Sequence, residues 1–207
     1  MTGKFIVFDG LDGTGKSTFI KMLAEHLQDK GCKVSITAEP TKNKWGLLIR
    51  EILSGVQKAS QQEMAALFLA DRIAHNEEID ELLQQDYIVL CDRYYYSSFA
   101  YQSDDETLSW IMDMNLNCPG IRVPDLCLLF DSEPELCLKR IKAGRSGQQL
   151  EIFENLKSLN AIREKFSKIE EMLNKSGRGE NIVRIDSSPP LDEVFEVILN
   201  TVNSFLN

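Results

Sequence analysis

Gly10-Leu11-Asp12-Gly13-Thr14-Gly15-Lys16-Ser17 decides the fold. The spacing is GxxxxGK[ST], and its neighbours supply the context that this motif requires. Before it, Phe5 to Phe8 is a short apolar run closed by Asp9-Gly10, which reads as a buried strand. After it, Phe19, Ile20, Leu23, Ala24 and Leu27 recur at helical spacing from Lys16 to about Asp29, and Gly31 marks a stop. Strand, glycine-rich turn and helix together make a phosphate cradle. The glycines let backbone N–H groups converge on phosphate oxygens, and the helix adds the positive end of its dipole. Lys16 reaches the terminal phosphates of a nucleotide, and the Ser17 hydroxyl is a magnesium ligand type. Gly10 through Ser17, with Thr18 behind them, are therefore the candidate ATP-binding set.

Working outward, Lys33 to Thr37, Tyr87 to Cys91, Asp125 to Phe130 and Asn181 to Ile185 are further strand-like runs. The Tyr87–Cys91 run is apolar throughout and ends in Asp92-Arg93, as expected of a parallel strand buried on both faces. Helical patterns alternate with these runs. One carries Trp45, Leu48, Ile49 and Ile52 and ends near Gly55; others cover Gln61 to Leu83, Glu133 to Lys142 and Leu191 to Phe205. Five strands interleaved with helices predict an α/β fold, a three-layer open parallel sheet with helices on both faces. Its ligands belong in crevices beyond the carboxyl ends of the strands. The 207 residues fit one domain, 1–207. Between two helical patterns, Ala143 to Gln149 holds two glycines, Arg145 and no apolar anchor, and predicts a mobile lid at about 140–152.

Composition narrows the function classes. A net charge of -9 argues against broad affinity for nucleic acid or anionic membrane, so an anionic substrate must meet a local basic cluster. Five cysteines without a CxxC pair indicate neither a disulfide framework nor a zinc site and fit a reducing cytosol; Cys91 and Cys127, in apolar runs, read as inert core thiols. No apolar stretch is long enough to span a membrane, and the N-terminal residues lack a secretory pattern. His26 and His75 fall on helical patterns away from strand ends and read as solvated, with no metal role. No NKxD run for guanine and no strand ending in adjacent Asp-Glu is present, which disfavours hydrolytic switches and motors.

Over nearly its whole length the chain resembles the thymidylate kinases, a family of nucleoside monophosphate kinases. The resemblance rests on FDGLDGTGKST at 8–18, EPT at 39–41 with Gly46 and Ile49-Arg50 downstream, LFLADR at 67–72 and DRYYYSSFAYQ at 92–102, followed by a basic loop and Phe153-Glu154. It implies phosphoryl transfer from ATP to deoxythymidine monophosphate (dTMP), with Mg2+ as cofactor, and a homodimer formed by helix packing, to which the 61–83 helix is suited.

The resemblance also implies roles for individual residues. Asp92 positions or holds magnesium through water, a role its place at the end of a buried strand allows. Arg93 grips the acceptor phosphate, for which a bidentate guanidinium is suited; Arg50 is the second clamp, although on the residues alone it reads equally as a solvated helical arginine. Phe68 and Arg72 are four apart and share a helix face. The resemblance gives Phe68 the stacking contact with thymine and Arg72 the hydrogen bond to its carbonyl, whereas the pattern alone places Phe68 in the core. Ser97, Ser98 and Gln102 match positions at the thymine edge, Tyr101 the aromatic that crowds the 2′ side of the sugar, and Asp12 the acid that binds the 3′-hydroxyl. Gly13 stands where one branch of the family has arginine. The transition-state charge then falls to Arg140, Lys142 or Arg145, the lid-arginine arrangement, and the sequence leaves open which of the three is catalytic. Arg140 has a second reading, packing on adenine, whose edge is read by backbone around Ser187 to Pro189. Two other functions remain at this stage: a kinase for deoxynucleosides or other nucleoside monophosphates, and a nucleotide-dependent switch without transfer. The cluster Arg50, Phe68, Arg72 and Arg93 favours transfer, since a switch has no reason to gather it round one crevice.

Overall fold

The computed structural model describes residues 3–144 and 155–206, and its core is a five-stranded, all-parallel sheet. In chain order the strands are β1 (Lys4–Gly10), β2 (Val34–Ala38), β3 (Ile88–Asp92), β4 (Leu126–Asp131) and β5 (Ile182–Asp186), arranged β2-β3-β1-β4-β5. The helices are α1 (Lys16–Asp29), α2 (Lys44–Leu53), α3 (Gln61–Gln84), α4 (Tyr95–Tyr101), α5 (Leu108–Leu116), α6 (Pro134–Gly144), α7 (Leu156–Ser176) and α8 (Leu191–Leu206).

Alternation along β1 builds two cores. Phe5 and Val7 join Val89, Cys91, Cys127 and Leu129 beneath α3 to α7, while Ile6 and Phe8 join Leu90, Leu128 and Phe130 beneath α1 and α8. With both faces covered, the central strands are apolar through Phe5–Phe8, Ile88–Cys91 and Leu126–Phe130, which is why they read as continuous runs. The register sets Phe8 beside Asp92 and Gly10 beside Phe130, so the phosphate turn, Asp92 and the end of β4 share one rim.

All five predicted strands and the five bounded helical patterns are present within a residue or two. The helix α4 is an addition. Its seven residues are all buried, so no polar face marks a helical period. Likewise α5 follows no bounded pattern in the sequence. Cys91 and Cys127 are fully buried, and burial pushes both thiols well above their ordinary range.

Candidate active site

The phosphate turn is held in a shape only glycine permits. Gly10, at φ 121°, lies so close to β4 that a Cβ would sit 2.1 Å from the Phe130 carbonyl oxygen. At Gly13, with φ 80°, a Cβ would meet the Cys137 carbonyl oxygen at 2.5 Å. A side chain at that position is therefore strained and meets the backbone of α6. Gly15 caps α1 in the left-handed region.

Lys16 is buried, and its ammonium donates to the carbonyl oxygens of Leu11 at 2.8 Å and Gly10 at 3.2 Å. Burial, with Arg93 nearby, lowers its pKa, opposed by Asp12, Asp92 and Asp9. Beside it, the Ser17 hydroxyl donates to Asp92 Oδ2 at 2.6 Å, which brings together the two residues expected at a magnesium. Hard oxygen donors, few from protein and the remainder from phosphate and water, are what Mg2+ prefers. Among the described residues there is no cluster of three or more His, Cys, Asp or Glu suited to a metal. That leaves Ser17 and Asp92 as the fitting pair.

Arg93 bridges the two halves of the site. It adopts φ 71°, unusual for a non-glycine residue, and its backbone N–H is fixed to Phe8 O at 2.9 Å. Its Nη2 pairs with Asp12 Oδ1 in the phosphate turn, Nη1 donates to Ser97 Oγ at 3.0 Å, and its guanidinium lies 5.1 Å from the Tyr101 ring centre. Burial would lower the Arg93 pKa, but the Asp12 carboxylate outweighs it and the net shift is upward. For Asp12, burial raises and Arg93 and Lys16 lower; the cations win. The Tyr101 hydroxyl donates to Asp12 Oδ2 at 2.9 Å.

The carboxylate that organises this region lies outside the sequence expectations. Asp9, fully buried, accepts from Gly10 N, Tyr94 N, Ser97 N and the Ser97 hydroxyl, at 2.6 to 3.1 Å. It serves as a cap for α4, which has none of its own, and ties the phosphate turn to the start of that helix.

On the other side of Ser97, Ser98 Oγ accepts from Arg72 Nη2 at 3.2 Å. Arg72 is completely buried and pairs with Glu39, directly before Pro40, whose carbonyl oxygen accepts from Arg50 Nη2. The arginines at 50, 72 and 93 thus adjoin one another through Pro40-Glu39 and Ser98-Ser97, with Arg93 against the phosphate turn. Phe68 and Gln102 are buried too, and Gln102 Oε1 has no hydrogen-bond partner among the described residues. Arg140 donates to Ser187 O at 2.9 Å, joining it to the segment expected at the adenine edge, while Lys142 is exposed at the end of α6. Arg145, the tip of the expected lid and Phe153-Glu154 lie outside the described residues.

The expectation for the histidines is corrected. His75 is buried, its Nε2 2.6 Å from Thr37 Oγ1 and its Nδ1 3.1 Å from Glu39 Oε1, because α3 packs across the end of β2. His26 is half-buried, edge-on to Phe195, not fully solvated. Sequence reading also passed over Arg163 of α7, whose guanidinium takes both oxygens of Asp131 at the end of β4 at 2.8 and 3.2 Å.

A parallel sheet with a glycine-rich phosphate turn on the same rim as a bank of arginines defines a P-loop kinase of the nucleoside monophosphate class. The comparisons narrow the class. A family profile described as thymidylate kinase matches residues 8–198. A probable thymidylate kinase of Archaeoglobus fulgidus is 38% identical over 98% of this chain and 96% of its own, and a thymidylate kinase of Desulfotalea psychrophila is 39% identical over 81% and 82%. The solved thymidylate kinase of Candida albicans, described as having broad substrate specificity, superposes with a TM-score of 0.80 at 25% identity, covering 98% of this chain and 92% of that one. The chain belongs to the thymidylate kinase family.

Proposed function

We propose that the chain transfers the γ-phosphoryl group of ATP to dTMP, giving ADP and dTDP, with the residues of the rim in the following roles. The backbone N–H groups from Gly10 to Thr18 and the Lys16 ammonium hold the donor phosphates. Arg93 and Arg50 take the acceptor phosphate, Asp12 and Tyr101 border its sugar, and Phe68, Arg72, Ser98 and Gln102 border its base. An oxygen of the acceptor phosphate attacks the γ-phosphorus in line, the new P–O bond forms, and the bond to the β-phosphate oxygen breaks with its electron pair leaving on ADP. The acceptor oxygen is already ionised near neutral pH, so no strong general base is needed and positioning and charge neutralisation carry the rate. Ser17 and Asp92 would hold Mg2+, which when bound would further neutralise the donor phosphates. Arg140, Lys142 and Arg145 are the candidates to meet the transition-state charge.

The observation that carries this reading is the pairing of Arg93 with Asp12, because it sets an acceptor-phosphate cation directly against the donor cradle. The test is ADP release from ATP with each nucleoside monophosphate and with thymidine. The reading requires turnover with dTMP, and requires Lys16→Ala to lower it by roughly 10²–10³-fold with an unchanged melting curve. Near-normal turnover by that variant, or transfer to thymidine but not to dTMP, rejects it.

Two further points belong to the same reading. No described helix is long and apolar enough to cross a membrane. With free cysteines throughout the described residues, this supports a cytoplasmic site of action. Exposed Ile36 on edge strand β2, Leu47 on α2 and Ile73 on α3 support a homodimer formed along that side of the sheet.

A further inference from the structure

The cluster round Arg72 contains more than a base-reading arginine requires. A fully buried guanidinium is tolerated only when its N–H groups are paired. Here Nε and Nη2 donate to Glu39 Oε2 at 2.9 and 2.5 Å, Nη2 donates also to Ser98 Oγ, and Nη1 donates to Asn115 Oδ1 at 2.5 Å. The Tyr94 ring centre lies 5.1 Å away. A guanidinium has five N–H groups. Four are engaged, and one on Nη1 has no oxygen partner among the described residues.

Each anchor is anchored in turn. The second oxygen of Glu39 faces His75 Nδ1, and a carboxylate only accepts, so Nδ1 donates to it, while Nε2 and the Thr37 hydroxyl share a hydrogen bond of 2.6 Å. Asn115 gives its amide N–H to Ile111 O at 2.8 Å, which fixes its oxygen toward Arg72. His75 lies one turn beyond Arg72 on α3, while Asn115 comes from α5. The guanidinium plane is therefore held from two independent elements, with a single donor left over.

We propose that His75 and Asn115 are positioning residues for acceptor recognition: through Glu39 and directly, they fix the orientation of the buried Arg72, whose guanidinium meets Ser98 Oγ at the border of the acceptor base. The proposal rests on the thymidylate kinase reading above. It assigns neither residue a contact with substrate. Their loss therefore acts on acceptor binding and leaves the ATP cradle, built on β1 and α1, untouched.

The experiment is steady-state kinetics on the full chain, varying dTMP at saturating ATP and then ATP at saturating dTMP, with melting curves for each variant. His75→Leu removes the donor to Glu39; His75→Asn keeps an N–H in the place of Nδ1; Asn115→Leu removes the Nη1 anchor from a different helix. Expected is a rise of roughly tenfold or more in KM for dTMP with His75→Leu and Asn115→Leu, with kcat and KM for ATP within about twofold of wild type, and near wild-type KM values with His75→Asn. The proposal is overturned if His75→Leu leaves KM for dTMP unchanged, if KM for both substrates shifts alike, or if His75→Asn is as impaired as His75→Leu. Should His75→Leu fail to fold, Asn115→Leu decides alone by the same split. Absence of dTMP turnover in the wild type rejects the underlying reading, an outcome distinct from wild-type turnover with indifferent variants.

Discussion

Gly13 shows how tightly a single position of the phosphate turn is held. Its φ of 80° belongs to the region that L residues avoid, and the space beside it is filled by the Cys137 carbonyl of α6. The backbone conformation alone costs a side chain about 1–3 kcal/mol, before the clash is counted. Gly13→Arg is accordingly expected to lower the melting temperature by roughly 5 °C or more in a chain of this size, without raising turnover. A stable variant with enhanced transfer would show that the turn can open away from α6. The same scale shows what sequence alone could and could not say. Lys16, Ser17, Asp92 and Arg93 were legible because the motif spacing and a buried strand end fix their surroundings. His75 was not, since its partners Thr37 and Glu39 lie about forty residues away in sequence and only the packing of α3 over β2 brings them within reach.

Among the elements, α4 depends most on others. It spans only Tyr95–Tyr101, carries no side-chain cap of its own, and presents Ser97 to the half-buried Arg93 and Ser98 to the buried Arg72. Its first turn is satisfied by Asp9 from β1, so the strand that begins the phosphate turn also fixes the helix behind Arg93. Asp9→Ala would leave several buried donors unpaired, with an expected loss on the order of 3 kcal/mol in unfolding free energy by urea titration. A loss under about 1 kcal/mol would mean that α4 holds itself. This also explains why the helix escaped sequence reading. Tyr95, Tyr96, Phe99 and Ala100 all face packed interior and Asp9 lies more than eighty residues earlier, so neither periodicity nor a local cap announces the start. By contrast α3 follows the pattern bounded at Gln61 to Leu83, and in the structure Ser60 and Glu63 form a capping box at its entry.

For the whole molecule, the sheet order β2-β3-β1-β4-β5 puts β1 at the centre and leaves β2 as one edge. The central position gives the phosphate turn neighbours on both sides, Asp92 from β3 and Phe130 from β4. Ile36, Leu47 and Ile73, each 40% exposed or more, lie at or beside the other end of this plan. Light scattering after gel filtration is expected to give twice the chain mass, and the pair Leu47→Lys with Ile73→Lys to give the single mass. A wild type that runs as a monomer at micromolar concentration would place no partner on that edge.

Lys16 rests on two carbonyl oxygens of its own loop, and Arg93 on a carboxylate across the rim. An arriving triphosphate therefore trades places with ligands that are already in hand, and the grip it obtains is only the margin between two sets of oxygens. Such a margin suits a catalyst that must let go of two diphosphates in every cycle, because the groups that reclaim the cations wait within a bond length or two and hasten departure.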